Sequence, residues 1–131
     1  MDWTKANSLV AGAGSILVLT HVGPDGDAIG SMLGLAHALE SVGKSVITAV
    51  DGGVPGDLVF LPGSESVCST LDGLAVDVVI AVDCGDESRM GEVGQVALRS
   101  GVALINLDHH RTNTMFGAAN LVDLATVAAS E

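Results

Sequence analysis

The sequence predicts a single α/β domain with a mostly parallel sheet flanked by helices. Two observations lead there. Short continuous apolar runs alternate with segments of helical periodicity, which is the pattern of βαβ units rather than of hairpins. Three of those runs, Ile16–Thr20, Val78–Val82 and Ala103–Leu107, are each followed at once by Asp and His residues. Loops at the carboxyl ends of parallel strands converge on one crevice. The three polar clusters are therefore expected to meet. The 131 residues are one domain's worth of chain. Hydrophobic residues make up 48% and aromatics 2%, so the core is built from Val, Leu, Ile and Ala.

Each element follows from local pattern. Residues 3–11 read as a lead-in helix closed by Gly12 and Gly14. Ser15–Thr20 is a strand of the doubly buried, parallel type. After the polar loop His21–Asp27, Ile29, Met32, Leu33, Ala36 and Leu39 recur at helical spacing, which predicts a helix over Ala28–Val42. Gly43 is its expected stop. Ser45–Val50 is the second strand, ended by Asp51-Gly52-Gly53, and Val54–Gly63, with Pro55 and Pro62, is loop. Asp77–Val82 is a strand, Glu92–Ser100 a short helix stopped by Gly101, and Ala103–Leu107 a further strand. Leu124–Glu131 reads as the opening turns of another helix.

Charge narrows the function. A net charge of −11 argues against long duplex nucleic acid as a partner, because that binding needs Lys and Arg to displace counterions. A short phosphate-bearing substrate stays compatible if bound metal supplies the positive charge. Cys68 and Cys84 lack Cys-x-x-Cys spacing, which suits a reduced cytosolic setting. The segment MDWTKANSLV has no basic n-region, and no apolar run nears the roughly 18 to 20 residues that span a bilayer. A soluble, cytoplasmic protein is the expectation.

The chemistry lies in the clusters. In HVGPDGDAIGS, Pro24-Asp25-Gly26 is a turn sequence and Asp27 suits a helix N-cap. The same turn can instead aim His21, Asp25 and Asp27 into the crevice, and one carboxylate can do both jobs. Oxygen-rich ligand sets with some imidazole suit Mn²⁺ or Mg²⁺ better than structural Zn²⁺. Asp83 ends its strand either as a turn former or as a carboxylate shared by two ions. Asp86 and Glu87, in the loop after it, read as solvated. In Asp108-His109-His110, successive side chains leaving an extended segment point opposite ways. One His is thus expected to take metal and the other to face substrate, with Asp108 holding an imidazole N–H. Arg89, one of five basic residues, suits either a phosphate contact or plain surface. Other patterns fail. Gly43-Lys44-Ser45 joins a helix to a strand and lacks the upstream Gly of a phosphate loop, since position 38 is Ala38. Gly12-x-Gly14 precedes a strand, His37 reads as a surface residue, and Ser31 lacks a nucleophile elbow.

At these residues the chain resembles the DHH phosphoesterase family, from about Ser15 to Glu131. The likeness covers THVGPDGDAIGSMLGLAHAL, VPGDLVFLPG, VIAVDCGDESRMG, INLDHHRTNTMFG and LVDLATVAASE. It is nearest the subgroup that hydrolyses short oligoribonucleotides and 3′-phosphoadenosine 5′-phosphate. The resemblance implies a Rossmann-like DHH domain holding two Mn²⁺, with Mg²⁺ as substitute. It places His21 and Asp25 on the first ion, Asp27 and His109 on the second, and Asp83 on both. His110 would touch the substrate phosphate with Asp108 behind it, and Arg89 matches an Arg that recurs in the subgroup. The family also carries a later metal-binding Asp, a linker and a C-terminal substrate-binding domain. Asp123 is not that Asp, because LVDLATVAASE matches the stretch leading into the helix before it. Residues 1–131 are thus expected to be the N-terminal portion of the catalytic domain of a longer protein, for which a homodimer is compatible. Within the family, a cyclic-dinucleotide phosphodiesterase or pyrophosphatase is an alternative. So is a catalytically incomplete fragment that binds metal or nucleotide.

Overall fold

A computed structural model of the chain describes residues 1–125. Its element order is α1 (Trp3–Ala11), β1 (Ser15–Leu19), α2 (Gly26–Ser41), β2 (Ser45–Ala49), β3 (Val78–Val82), α3 (Gly91–Arg99), β4 (Leu104–Asp108) and β5 (Ala119–Val122), with short 3-10 turns in the loops. All strand pairs are parallel, in the order β2-β1-β3-β4-β5. The chain thus builds outward from β1 in one direction and then, from β3, in the other. That reversal opens a crevice at the carboxyl ends of β1 and β3, where doubly wound sheets bind ligands.

Alternate residues of each strand feed opposite faces. Ile16, Val18, Val78, Ile80, Val82 and Ile105 pack with Ile29, Met32, Leu33 and Leu39 of α2. Leu17, Leu19, Val79, Ala81 and Leu104 pack with Val93 and Ala97 of α3 and with Met90. All five periodic positions of α2 are buried, as its spacing predicts. Gly43 (φ +90°) takes the left-handed conformation just past that helix, and Gly101 (φ +74°) does the same after α3. The link from β2 to β3 forms a parallel bridge, Ala49 to Cys68, covering the outer edge of β2.

Sequence and structure differ in places. β5 was not expected: four residues, Ala-Asn-Leu-Val, behind a glycine carry little strand signal, and pairing with β4 supplies what propensity lacks. Helix α2 begins at Gly26 because Asp25, not Asp27, is its N-cap, accepting from the Ala28 N–H at 2.9 Å. Of the helix expected over Leu124–Glu131, Leu124 and Ala125 lie in a turn, and residues 126–131 fall outside those described. Lys44, in the rejected phosphate-loop look-alike, donates to the carbonyl of Ala13 at 2.7 Å. No helix among the described residues is long and apolar enough to cross a membrane.

The amino ends of β1 and β3 are pinned by Asp77, whose carboxylate accepts from the N–H groups of Gly14 (2.8 Å) and Ser15 (3.2 Å). These bonds hold its pKa below the ordinary 3.8. A depressed pKa contributes stability above the unfolded value and loses it as pH falls through the folded one. Asp77→Ala should therefore lower the melting midpoint at pH 7. The gap to the unmodified chain should close as pH drops below about 3.8. A gap that stays constant into acid would show that the carboxylate charge is not what stabilises this end.

Candidate metal centre

The site is built from the ends of β1, β3 and β4. Thr20 ties the first two together, its hydroxyl donating to the Val82 carbonyl at 2.8 Å. The next residue, His21, is buried; its Nδ1 lies 2.7 Å from the Val22 carbonyl and donates to it, leaving Nε2 toward Asp83 Oδ2 at 3.4 Å. Asp83, with further help from Asp25, raises the His21 pKa above its ordinary 6.5, against the opposing effect of burial. The backbone of Val22 donates to the Arg89 carbonyl at 2.7 Å, which joins the β1 loop to the segment after β3.

Asp83 is the centre. It is 2% exposed, with φ +55°, a left-handed conformation that Asp tolerates better than most residues. Its N–H donates to the Leu107 carbonyl at 3.0 Å, so the backbone stays fixed at the sheet end. Oδ2 faces His21, while Oδ1 lies 3.0 Å from His109 Nε2 and 3.9 Å from His110 Nε2. The same His109 nitrogen is 3.0 Å from Asp27 Oδ2. The second oxygen of Asp27 accepts from the Ser31 hydroxyl at 3.0 Å. Two groups of ligand-type atoms, each within 4.8 Å, result: His21, Asp25 and Asp83, and Asp83, Asp108, His109 and His110. Asp83 belongs to both.

The structure thus brings together all seven acid and imidazole residues singled out in the sequence. Asp108 is 3% exposed, and both its oxygens accept hydrogen bonds, Oδ1 from His110 Nδ1 (2.6 Å) and Oδ2 from Asn113 Nδ2 (2.8 Å). It therefore holds an imidazole through one oxygen, beside its place in the second ligand-type group. The expectation that His109 and His110 point opposite ways is overturned. Strand β4 ends at Asp108, so strand alternation no longer applies to them. Their rings lie 4.6 Å apart, and both Nε2 atoms turn toward Asp83. They differ instead in exposure, His109 being 16% exposed and His110 45%.

Arg89 sits outside the ligand groups but lines the cleft above them, of about 220 Å³, with His21, Asp25, Asp83 and His110. Asp86 and Thr112 line it too. Asp86, read from sequence as a solvated acid, caps the turn Glu87–Met90 by accepting from the Ser88 N–H at 2.9 Å. The Asp-x-Ser spacing was the available signal. Cys84, next to Asp83, is buried, and burial pushes its thiol up to about 12. Its thiol donates to the Asp86 carbonyl at 3.2 Å. His37, read as surface, is exposed and pairs with the Pro62 carbonyl at 3.0 Å.

Comparison with known proteins gives a consistent answer. The sequence model of the DHH family, N-terminal domain, matches residues 15–130. The chain is 38% identical over 134 aligned residues to the bifunctional oligoribonuclease and PAP phosphatase NrnA of Thermus thermophilus, covering 98% of this chain and 39% of that protein. The crystal structure of an exopolyphosphatase-related protein from Bacteroides fragilis superposes with a TM-score of 0.85 at 27% identity, over 96% of this chain and 39% of the other. The chain therefore spans about 39% of the length of these relatives. Taken with the Asp-His-His triplet at the end of β4 and the shared Asp83 beneath it, the match over nearly the whole chain shows that this protein belongs to the DHH family, through its N-terminal domain.

Proposed function

We propose that this chain is the metal-binding core of a Mn²⁺-dependent phosphoesterase acting on short oligonucleotides and on 3′-phosphoadenosine 5′-phosphate. The observation that carries it is the placement of Asp83, whose two oxygens face two different imidazoles from two different loops. A carboxylate so placed suits a pair of cations, and carboxylate with imidazole suits Mn²⁺ or Mg²⁺. Among the described residues, neither ligand-type group contains a cysteine. In this reading His21 and Asp25 hold one ion, Asp27 and His109 the other, and Asp83 both. When bound, the ions supply the positive charge that lowers the pKa of water and offsets the charge of a phosphoester. The chain's own groups orient the reaction. Asp108 holds the Nδ1–H of His110 and so fixes the ring beside the cleft, where a substrate phosphate would lie. Arg89, beside the cleft, receives a further phosphate oxygen. The substrate assignment is supported by the two activities in the name of the Thermus relative.

A second reading is a module that binds metal and nucleotide without hydrolysis, which the same cluster of carboxylates and imidazoles would also serve. Release of phosphate from 3′-phosphoadenosine 5′-phosphate, and of mononucleotide from a dinucleotide, separates the two when assayed on this chain and on a longer version. Hydrolysis by either form supports the phosphoesterase. Tight binding without turnover in both supports the module.

Calorimetry should show two Mn²⁺ sites on this chain, both lost in Asp83→Asn. Retention of either site in that variant would remove Asp83 from the shared position. Mn²⁺ at a hundred times its Kd should stabilise the fold by about 2.7 kcal/mol for each site filled. Protons compete for the imidazoles, and the raised pKa of His21 starts that competition above pH 6.5. The Mn²⁺-dependent rise in melting midpoint should accordingly be largest at alkaline pH and shrink as pH falls; a rise that does not vary with pH would argue for carboxylate ligands alone. In an active form, Asp83→Ala should cut turnover by more than about 100-fold, beyond the usual loss from removing a residue that only supports a ligand. Near-normal turnover would sink the two-ion reading.

A further inference from the structure

We propose that Asn113 is a positioning residue for His110, acting through Asp108; the kinetic consequence, though not the structural one, rests on the phosphoesterase reading. Residues 106 and 108 of β4 leave the strand on the same face as Leu104. Asn106 is fully buried there, in mid-strand, where an amide is costly unless its polar atoms are partnered. Its NH₂ donates to Asn113 Oδ1 at 2.7 Å and to Asn120 Oδ1 at 3.2 Å. Asn113 Oδ1 also accepts from the Met115 N–H at 2.7 Å. With two donors on its oxygen, the Asn113 amide has only one satisfactory orientation, with its NH₂ toward the site. That group donates to Asp108 Oδ2 at 2.8 Å and to the Cys84 carbonyl at 3.3 Å.

The consequence is directional. Asn113 occupies one oxygen of the buried Asp108 carboxylate, and the other is left for the Nδ1–H of His110 at 2.6 Å. The amide thus fixes the rotation of the carboxylate, and the carboxylate fixes the tautomer and tilt of the half-exposed imidazole. Holding the loop shut is a separate task done by Asn120, which bonds both the N–H and the carbonyl of Gly117 at 3.0 Å. Asn113 does not itself line the cleft, and its one direct bond to His110 is between backbones, N–H to carbonyl at 3.3 Å, which a side-chain substitution leaves in place; the effect of its side chain on the His110 ring passes through Asp108.

Two variants separate positioning from stapling. Asn113→Ala removes the donor. Asn113→Asp keeps the shape and the acceptor for Asn106 and Met115 but turns an oxygen toward Asp108. Histidine ¹⁵N spectra of this chain, in which the Nδ1 and Nε2 shifts differ between tautomers, read the His110 tautomer directly. The unmodified chain should show the Nδ1–H form alone, and both variants an average of two tautomers, with backbone amides outside the 106–120 segment unmoved. In a form that hydrolyses phosphoester, kcat should fall by about 10- to 100-fold with KM little changed. Variants that melt earlier but keep the single tautomer would overturn the proposal and leave Asn113 a loop staple. Should neither variant fold, deuterium exchange of the Asn113 side-chain amide in the unmodified chain decides: slow exchange supports the relay and fast exchange overturns it. A changed tautomer with no hydrolysis by any form would sink the phosphoesterase reading and leave the positioning role standing.

Discussion

The buried carboxylate of Asp83 is the constraint around which the rest is arranged. A charged group 2% exposed is tolerated only with partners close by. Here they come from elsewhere in the chain: His21 from the β1 loop, His109 and His110 from the β4 loop. The left-handed backbone at Asp83 turns its side chain into the crevice at the point where the strand order reverses. A right-handed or extended residue there would continue toward the next loop and aim elsewhere. The strand ladder holds that unusual conformation in place through the bond to Leu107, so the sheet supports the site directly.

The same logic explains the doubled role of the β1 loop. Asp25 caps α2 and lies beside the cleft, and Asp27 sits in the first helical turn. The amino end of a helix carries partial positive charge, which favours ionised carboxylates there. The two acids divide their bonds differently: Asp25 caps the helix through Oδ1, while Asp27 gives one oxygen to the Ser31 hydroxyl and turns the other to His109.

How much of this was legible in the sequence depended on whether the signal was local. Strands buried on both faces announce themselves as apolar runs, so β1, β2, β3 and β4 were found within a residue or two. Strand β5 has no such run and exists because β4 offers it an edge. The metal-type residues were legible because each follows a strand directly and parallel strands end together. The direction of His109 and His110 was not, since it depends on where β4 stops. Least legible was the asparagine relay. Asn106, Asn113 and Asn120 are ordinary loop or strand-edge residues in one dimension, and only the folding of the 109–118 loop over the β4 face makes them partners.

The size of the cleft limits what this chain can select. At about 220 Å³ it is smaller than the roughly 300 to 1,000 Å³ of pockets that enclose a drug-sized ligand. It suits a phosphoryl group with its neighbouring atoms, and its lining of acids, imidazoles and one arginine offers no apolar wall on which to stack a base. On the proposed reading, the DHH domain then recognises the phosphoester and its charge, and recognition of base and chain length belongs to surfaces beyond the cleft. Substitutions at Asp83 or Asn113 would weaken every phosphoester alike, while preference between a dinucleotide and a bisphosphorylated nucleoside would survive them. The separation follows from geometry: groups that act only at the reacting phosphate, directly or through a neighbour, have no contact through which to tell one nucleotide from another.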